Sequence, residues 1–192
     1  PGKGFFVPAD VSKSDDVKWL VRSAVETFGR LDCAFNNAGI QGELSQTAEC
    51  TEENWDRITG INLKGVWLCM KYEIEQMLQQ GSGAIVNNSS NFGLVGSNGM
   101  PAYSAAKHGV VGLTKTASIE YADRGIRVNA VCPGPVQTPL VDKIVERHPE
   151  IAAIPSIGLH TALEYWRDRG LNAWADRDDV LAARVSWTRN GA

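Results

Sequence analysis

Four short apolar runs, residues 5–11, 31–35, 84–88 and 126–131, are set apart by stretches whose apolar residues recur at helical spacing. Each run is too short for a helix and stops at a polar or glycine-rich group: Asp10, Asn36-Asn37-Ala38-Gly39, Ser89-Ser90 and Pro133-Gly134. Runs of this length, bounded by turn residues, read as buried strands. Strand, helix and strand in succession imply right-handed crossovers between parallel strands. The expected fold is α/β, a doubly wound parallel sheet, with the four polar ends along one edge around a single crevice.

The connecting stretches carry their own start and stop signals. Ser12 or Ser14 can cap a helix with Asp15 and Asp16 in its first turn, where the helix dipole favours negative charge. Val17, Leu20, Val21, Ala24, Val25 and Phe28 follow at helical spacing, and Gly29 closes it. Thr51 can cap a helix over 52–59, and Asn62 falls where that helix should falter. A further helix runs from Val66 to about Leu78 with Trp67, Met70, Ile74 and Met77, broken by Gly81-Ser82-Gly83. The last, 101–122, opens on Pro101, where a missing N–H costs nothing, and ends at Gly125.

Composition narrows the partners. A net charge of −3 offers no basic surface for nucleic acid or an anionic membrane. No apolar stretch approaches the roughly 20 residues needed to span a bilayer. Cys33, Cys50, Cys69 and Cys132 lack metal-ligand spacing and read as reduced, buried thiols of a cytoplasmic protein. His108, His148 and His160 are too scattered for a zinc site. After about Ile157 the text changes: residues 160–192 hold Trp166, Trp174 and Trp187 among many Arg and Asp, and no strand is evident. The chain therefore divides into a domain over 1–158 and an atypical tail, 159–192, of the kind a shifted reading frame produces.

Chemistry concentrates between Ser89 and Lys107. Tyr103 and Lys107 are four apart, one turn from each other on one helix face, and Ser90 precedes them at the strand end. Taken singly, Ser90 is a turn hydroxyl and Asn62 a helix-terminating residue. Together with Asn36-Asn37-Ala38-Gly39, Asn62 in Ile-Asn-Leu-Lys-Gly, Arg127-Val128-Asn129 and Pro133-Gly134, the set resembles the short-chain dehydrogenase/reductase family in order and spacing over residues 4 to about 140.

That resemblance implies a Rossmann-like fold and an NAD(P)-dependent oxidoreductase that interconverts a secondary alcohol and a ketone by hydride transfer. Tyr103 would exchange the proton. The Lys107 ammonium, with an oxidised nicotinamide's charge, would lower the phenol's pKa from about 10. Ser90 would orient the substrate oxygen, and Asn62 would hold a relay water. NAD or NADP would lie against Asp10, Val11, Asn37, Ala38, Gly39, Asn88, Tyr103, Lys107, Pro133, Gly134, Val136 and Thr138. Residues 140–155 fall where the family covers its substrate, and helices at about 64–79 and 101–122 are where members pair into dimers or tetramers.

The chain departs from the family at its start. The TGxxxGxG phosphate loop and its βαβ unit, roughly 30 residues, do not precede the first run, so the sheet reads as incomplete. The residue that separates NAD from NADP is likewise not among the 192. The alternative reading is a non-catalytic fragment or nucleotide-binding sensor of the same fold.

Overall fold

The computed structural model describes residues 4–134. The chain divides after Val131, and every element below belongs to the first unit. The expected tail 159–192, Val136, Thr138 and the 140–155 segment lie outside the described residues.

Three of the four expected strands form: β1 (Cys33–Asn36), β2 (Gly83–Asn88) and β3 (Ile126–Val131). All run parallel in the order β1-β2-β3, with Asn36 beside Asn87 and Asn88 beside Val131. Their polar ends share one edge, as the sequence pattern requires. The run at 5–11 is not a strand. Residues 4–10 form no regular element: no neighbouring strand among the described residues offers them a ladder, and Phe5 and Phe6 stand 58% and 85% exposed.

Helix α1 (Ser14–Phe28) is capped by neither serine. Its N-cap residue is Lys13, because the Ser12 hydroxyl bonds Asp10 at 2.7 Å and the Ser14 hydroxyl pairs with the Tyr72 hydroxyl at 2.6 Å. Gly29, at φ 85°, closes the helix from the left-handed region, where a side chain would be strained. Thr51 does cap α2 (Glu52–Thr59), its hydroxyl accepting the Asn54 N–H at 3.1 Å. The chain does not falter at Asn62. It widens into a π turn over Gly60–Gly65 and runs directly into α3 (Val66–Gln80). Helix α4 (Pro101–Tyr121) begins at its proline, and Gly125 turns the chain into β3 at φ 77°.

One apolar core lies between the sheet and the α3–α4 pair. Val66, Met70, Ile74 and Met77 of α3 and Val110 and Ala117 of α4 meet Ile85, Ile126 and Val128. Helical and two-residue periodicities thus converge on one face, the stripe and alternation that burial selects. Phe28 and Trp67 keep to helical spacing yet are 50% and 45% exposed. Of the cysteines only Cys69 is buried; Cys33 is exposed and Cys50 half-buried.

A polar chain crosses this core. Glu73, 7% exposed on α3, accepts from Asn36 Nδ2 at 3.0 Å, and the same amide donates to Asn87 Oδ1 at 2.9 Å. Asn87 Nδ2 donates to Thr114 Oγ1 at 2.9 Å, and that hydroxyl donates to the Val110 carbonyl at 2.7 Å. Burial raises the Glu73 carboxyl to about 7, opposed by the Asn36 bond, and pushes the Cys69 thiol one turn away up to about 12, with Glu73 adding to it.

The sign of the resulting linkage is set by the folded carboxyl holding its proton above the ordinary 4.5. Between those values the folded state binds more protons, so stability falls as pH rises from 4.5 through about 7 and then levels. Glu73→Gln keeps the acceptor for Asn36 and removes the charge. At pH 8 the variant should be the more stable by on the order of 3 kcal/mol, the gap closing toward pH 4.5. Urea unfolding at both pH values checks this; equal stabilities at pH 8 would contradict it.

Candidate active site

Three segments meet at the sheet edge: the turn after β1, the loop after β2 and the first turns of α4. Lys107 binds them together. Its side chain is 4% exposed, and its ammonium donates to the Asn88 carbonyl at 2.7 Å. A Cβ placed on Gly39 would stand 3.8 Å from the ammonium and 3.2 Å from Asn62 Oδ1, so the turn after β1 approaches both residues closely. Glycine at 39 leaves that approach open.

Asn62 is fully buried inside the π turn and spends its amide on one residue. Its Oδ1 accepts the Ile40 N–H at 2.8 Å, and its Nδ2 donates to the Ile40 carbonyl at 2.7 Å. One Nδ2 hydrogen and one Oδ1 lone pair remain beyond this pairing.

Tyr103 sits one turn before Lys107 on α4, packed on the cluster of Ile58, Ala102 and Ala106. The ammonium lies 5.6 Å from the centre of its ring. Burial holds the phenol above its ordinary value, and a hydrogen bond with Ser90 pulls it partly back. The net direction is the reverse of the lowering expected from Lys107: in the protein alone, desolvation wins.

Ser90 is 8% exposed and does what a turn hydroxyl does as well. It accepts the Phe92 N–H at 3.2 Å and donates to Asn91 Oδ1 at 3.0 Å, opening the short 3-10 turn Asn91–Gly93. The reading of Ser90 as a turn hydroxyl is therefore realised.

The cofactor set is brought together in part. Asn37 Oδ1 accepts from Asn88 Nδ2 at 2.6 Å, while Asn88 Oδ1 is buried with no partner. Val11, Asn37 and Ala38 line one cavity of about 340 Å³ beside β1, with Cys33, Cys69 and Glu73. Asp10 is exposed and makes a local turn, accepting from the Ser12 N–H at 3.0 Å as well as its hydroxyl; these bonds, the hydroxyl's first, lower its pKa. Pro133 and Gly134 follow β3 in the chain, in the second unit.

Two buried polar side chains beside the site were not singled out by the sequence pattern. Ser89, beside Ser90, turns its hydroxyl onto the Lys107 carbonyl at 2.8 Å; the doubled serine was the available signal. Glu73 interrupts the apolar face of α3 between Met70 and Met77, a signal that a helical-wheel reading contains. Among the described residues no group of side chains could hold a metal ion, and no helix is long and apolar enough to cross a membrane.

The chain that builds this sheet, with Tyr103 and Lys107 on one helix and a serine on the adjoining loop, is matched by the family model for short chain dehydrogenases over residues 2–149. The chain belongs to that family. Among its relatives is the cyclohexanol dehydrogenase of Acinetobacter sp. strain SE19, 48% identical over 145 residues, covering 76% of this chain and 58% of that protein. Short chain dehydrogenase/reductase astE of Aspergillus oryzae is 40% identical over 191 residues, 99% of this chain and 69% of its own length. That similarity extends through residues 159–192. The structure of ElxO with NADP bound superposes with a TM-score of 0.71 at 34% identity, over 82% of this chain and 67% of that one. The fold is thus Rossmann-like, and the chain spans 58% of the cyclohexanol dehydrogenase it matches.

Asn62 should tolerate truncation poorly for a local reason. Asn62→Ala leaves the Ile40 N–H and carbonyl without their partner, which should cost roughly 2–4 kcal/mol. Denaturant unfolding measures this, and a loss below 1 kcal/mol, about the value of one ordinary hydrogen bond, would show that water replaces the amide.

Proposed function

We propose that this protein is an NAD(P)-dependent oxidoreductase that interconverts a secondary alcohol and a ketone, with Tyr103, Lys107, Ser90 and Asn62 as its working set. The observation that carries this reading is a half-buried phenol whose ring centre lies 5.6 Å from the buried Lys107 ammonium, one turn away on α4, with Ser90 on the adjoining loop at the open edge of a parallel sheet. The residues present fit a nicotinamide dinucleotide. The unpartnered Asn88 Oδ1 awaits a donor such as a ribose hydroxyl or a carboxamide, and Gly39 leaves room for a close backbone approach beside Lys107. When bound, the nicotinamide supplies or accepts the hydride at the substrate carbon.

The protein's own part is the proton and its geometry. Burial keeps the Tyr103 phenol protonated at neutral pH, which suits donation to a carbonyl oxygen as a ketone is reduced. Oxidation runs the step backwards and requires phenolate to take the alcohol's proton. Ser90, on the adjoining loop, turns its hydroxyl from Asn91 to hold the same substrate oxygen. Lys107 would meet the ribose with its ammonium, and its charge favours phenolate. Asn62 anchors Ile40 and keeps one donor hydrogen and one lone pair for a relay water. Cyclohexanol, named in one relative's activity, is the first substrate to try. Trp67 and Ile119, 45% and 80% exposed on α3 and α4, suit the pairing of two copies through these helices.

Tyr103→Phe should abolish cyclohexanol oxidation and cyclohexanone reduction with both NAD and NADP, while leaving the unfolding midpoint within a degree or two. Undiminished turnover would defeat the assignment. The two directions should also respond oppositely to pH. Oxidation should accelerate as pH rises toward the Tyr103 pKa, and reduction should decline as the phenol loses its proton. Parallel profiles in stopped-flow assays would assign the proton to another group.

A further inference from the structure

We infer that Ser89 is a positioning residue for the proposed proton transfer: its hydroxyl latches the Ser90 loop onto the main chain of α4 at Lys107, and Gly93 permits the approach. The consequence rests on the role proposed for Tyr103; the geometry does not.

Ser89 lies one residue past β2, and its N–H still donates to the Val131 carbonyl at 2.8 Å, so its backbone remains tied to β3. Its side chain is 4% exposed, and its hydroxyl donates to the Lys107 carbonyl at 2.8 Å. That carbonyl sits mid-helix, where the i+4 N–H takes one lone pair and the serine takes the second. The Lys107 ammonium reaches back to the carbonyl of Asn88 at 2.7 Å. Two consecutive residues at the strand end therefore grip one lysine at both ends, by its carbonyl and by its ammonium. Ser90, the next residue, moves only as this grip allows, and Tyr103, whose ionisation Ser90 lowers, is one turn away on the gripped helix.

Gly93 sets the separation. A Cβ there would stand 2.7 Å from the Lys107 carbonyl oxygen and closer still to Ser89 Oγ, so any side chain would wedge the loop from α4. The Gly93 N–H returns to the Ser90 carbonyl at 2.9 Å, closing the turn that displays the Ser90 hydroxyl. One neutral hydrogen bond contributes about 1 kcal/mol, too little to hold a fold together but enough to select one loop placement over another.

A hydroxyl that merely fills space would change stability when removed and leave the Tyr103 phenol alone. A positioning hydroxyl changes that phenol's ionisation, because the Ser90 bond opposes burial there. Among the described residues the charged group facing Tyr103 is Lys107, from α4; the cluster Tyr103 packs on, Ile58, Ala102 and Ala106, carries no charge, and the Cys50 thiol is the one other titratable group packed on that cluster. The experiment is fluorine NMR of the chain labelled with fluorinated tyrosines, whose phenols ionise at more accessible pH. Tyr103→Phe assigns the resonance.

Ser90→Ala should raise the Tyr103 midpoint, lowering its ionisation constant roughly threefold or more, the equivalent of one hydrogen bond. Ser89→Ala should move it in the same direction, and the double variant should match Ser90→Ala alone. Ser89→Cys, similar in volume with a weaker donor, should give a smaller shift and carries the test if the alanine variant does not fold. A phenol that moves in Ser90→Ala but in neither Ser89 variant would overturn the positioning role, as would loss of fold in both Ser89 variants. A phenol unmoved by Ser90→Ala would overturn the Ser90–Tyr103 pairing, and the positioning role with it, which marks the failure as one of the proposed chemistry.

Discussion

An ammonium taken out of water costs several kcal/mol unless oxygen atoms replace the solvent, and Lys107 is 4% exposed. The carbonyl of Asn88, at the end of the central strand, accepts from it at 2.7 Å, so the sheet's own backbone helps to solvate a charge on a helix. The turn after β1 lies close to the same ammonium, and a Cβ on residue 39 would press on Asn62 Oδ1 at 3.2 Å. The amide of Asn62 then fixes the following residue, Ile40, from the opposite side. Strand end, turn, π turn and helix are thus placed relative to one buried charge, and the phenol of Tyr103 inherits its position from the helix they hold.

Alternation along the strands separates this site from the interior while building both from neighbouring residues. Asn36 and Asn87 turn inward and join Glu73 and Thr114 in the polar chain through the core. Asn37 and Asn88, one residue on, bond each other at 2.6 Å at the sheet edge. A shift of one residue in the β1–β2 register would exchange these roles, putting the edge pair inside and the structural pair outside. The buried network therefore specifies register, at the expense of a carboxyl that holds its proton unusually tightly.

Much of this was readable before any geometry was known. Period-two and helical spacing located β2, β3 and α4 to within a residue, because each buries a full face in one core. Thr51 and Gly29 acted as their residue types suggest. Pattern failed where local and tertiary partners compete. Residues 5–11 have the composition of a strand, but a strand exists only with a neighbour. Ser12 and Ser14 have the chemistry of caps, yet Asp10 and Tyr72 claim their hydroxyls. Ser90, Tyr103 and Lys107 were legible as a set because their spacing brings them together; Ser89 was not, because a serine's choice of carbonyl depends on which helix lies across from it. The direction of the Tyr103 pKa in the protein alone was not legible for a similar reason: a nearby charge is visible in sequence, while the extent of burial is not.

The π turn at Gly60–Gly65 makes α2 and α3 one continuous rod with a break in phase. Each residue of a regular helix advances the azimuth by roughly 100°, and a π turn absorbs an extra residue without interrupting the rod. Upstream of it, Ile58 faces Ala102 and Ala106 of α4; downstream, Met70, Ile74 and Met77 face the sheet. A regular helix of the same length would satisfy one of these contacts and rotate the other toward solvent. The widened turn acts as a coupling between two shafts that must point their teeth in different directions, and the residue at the coupling is Asn62.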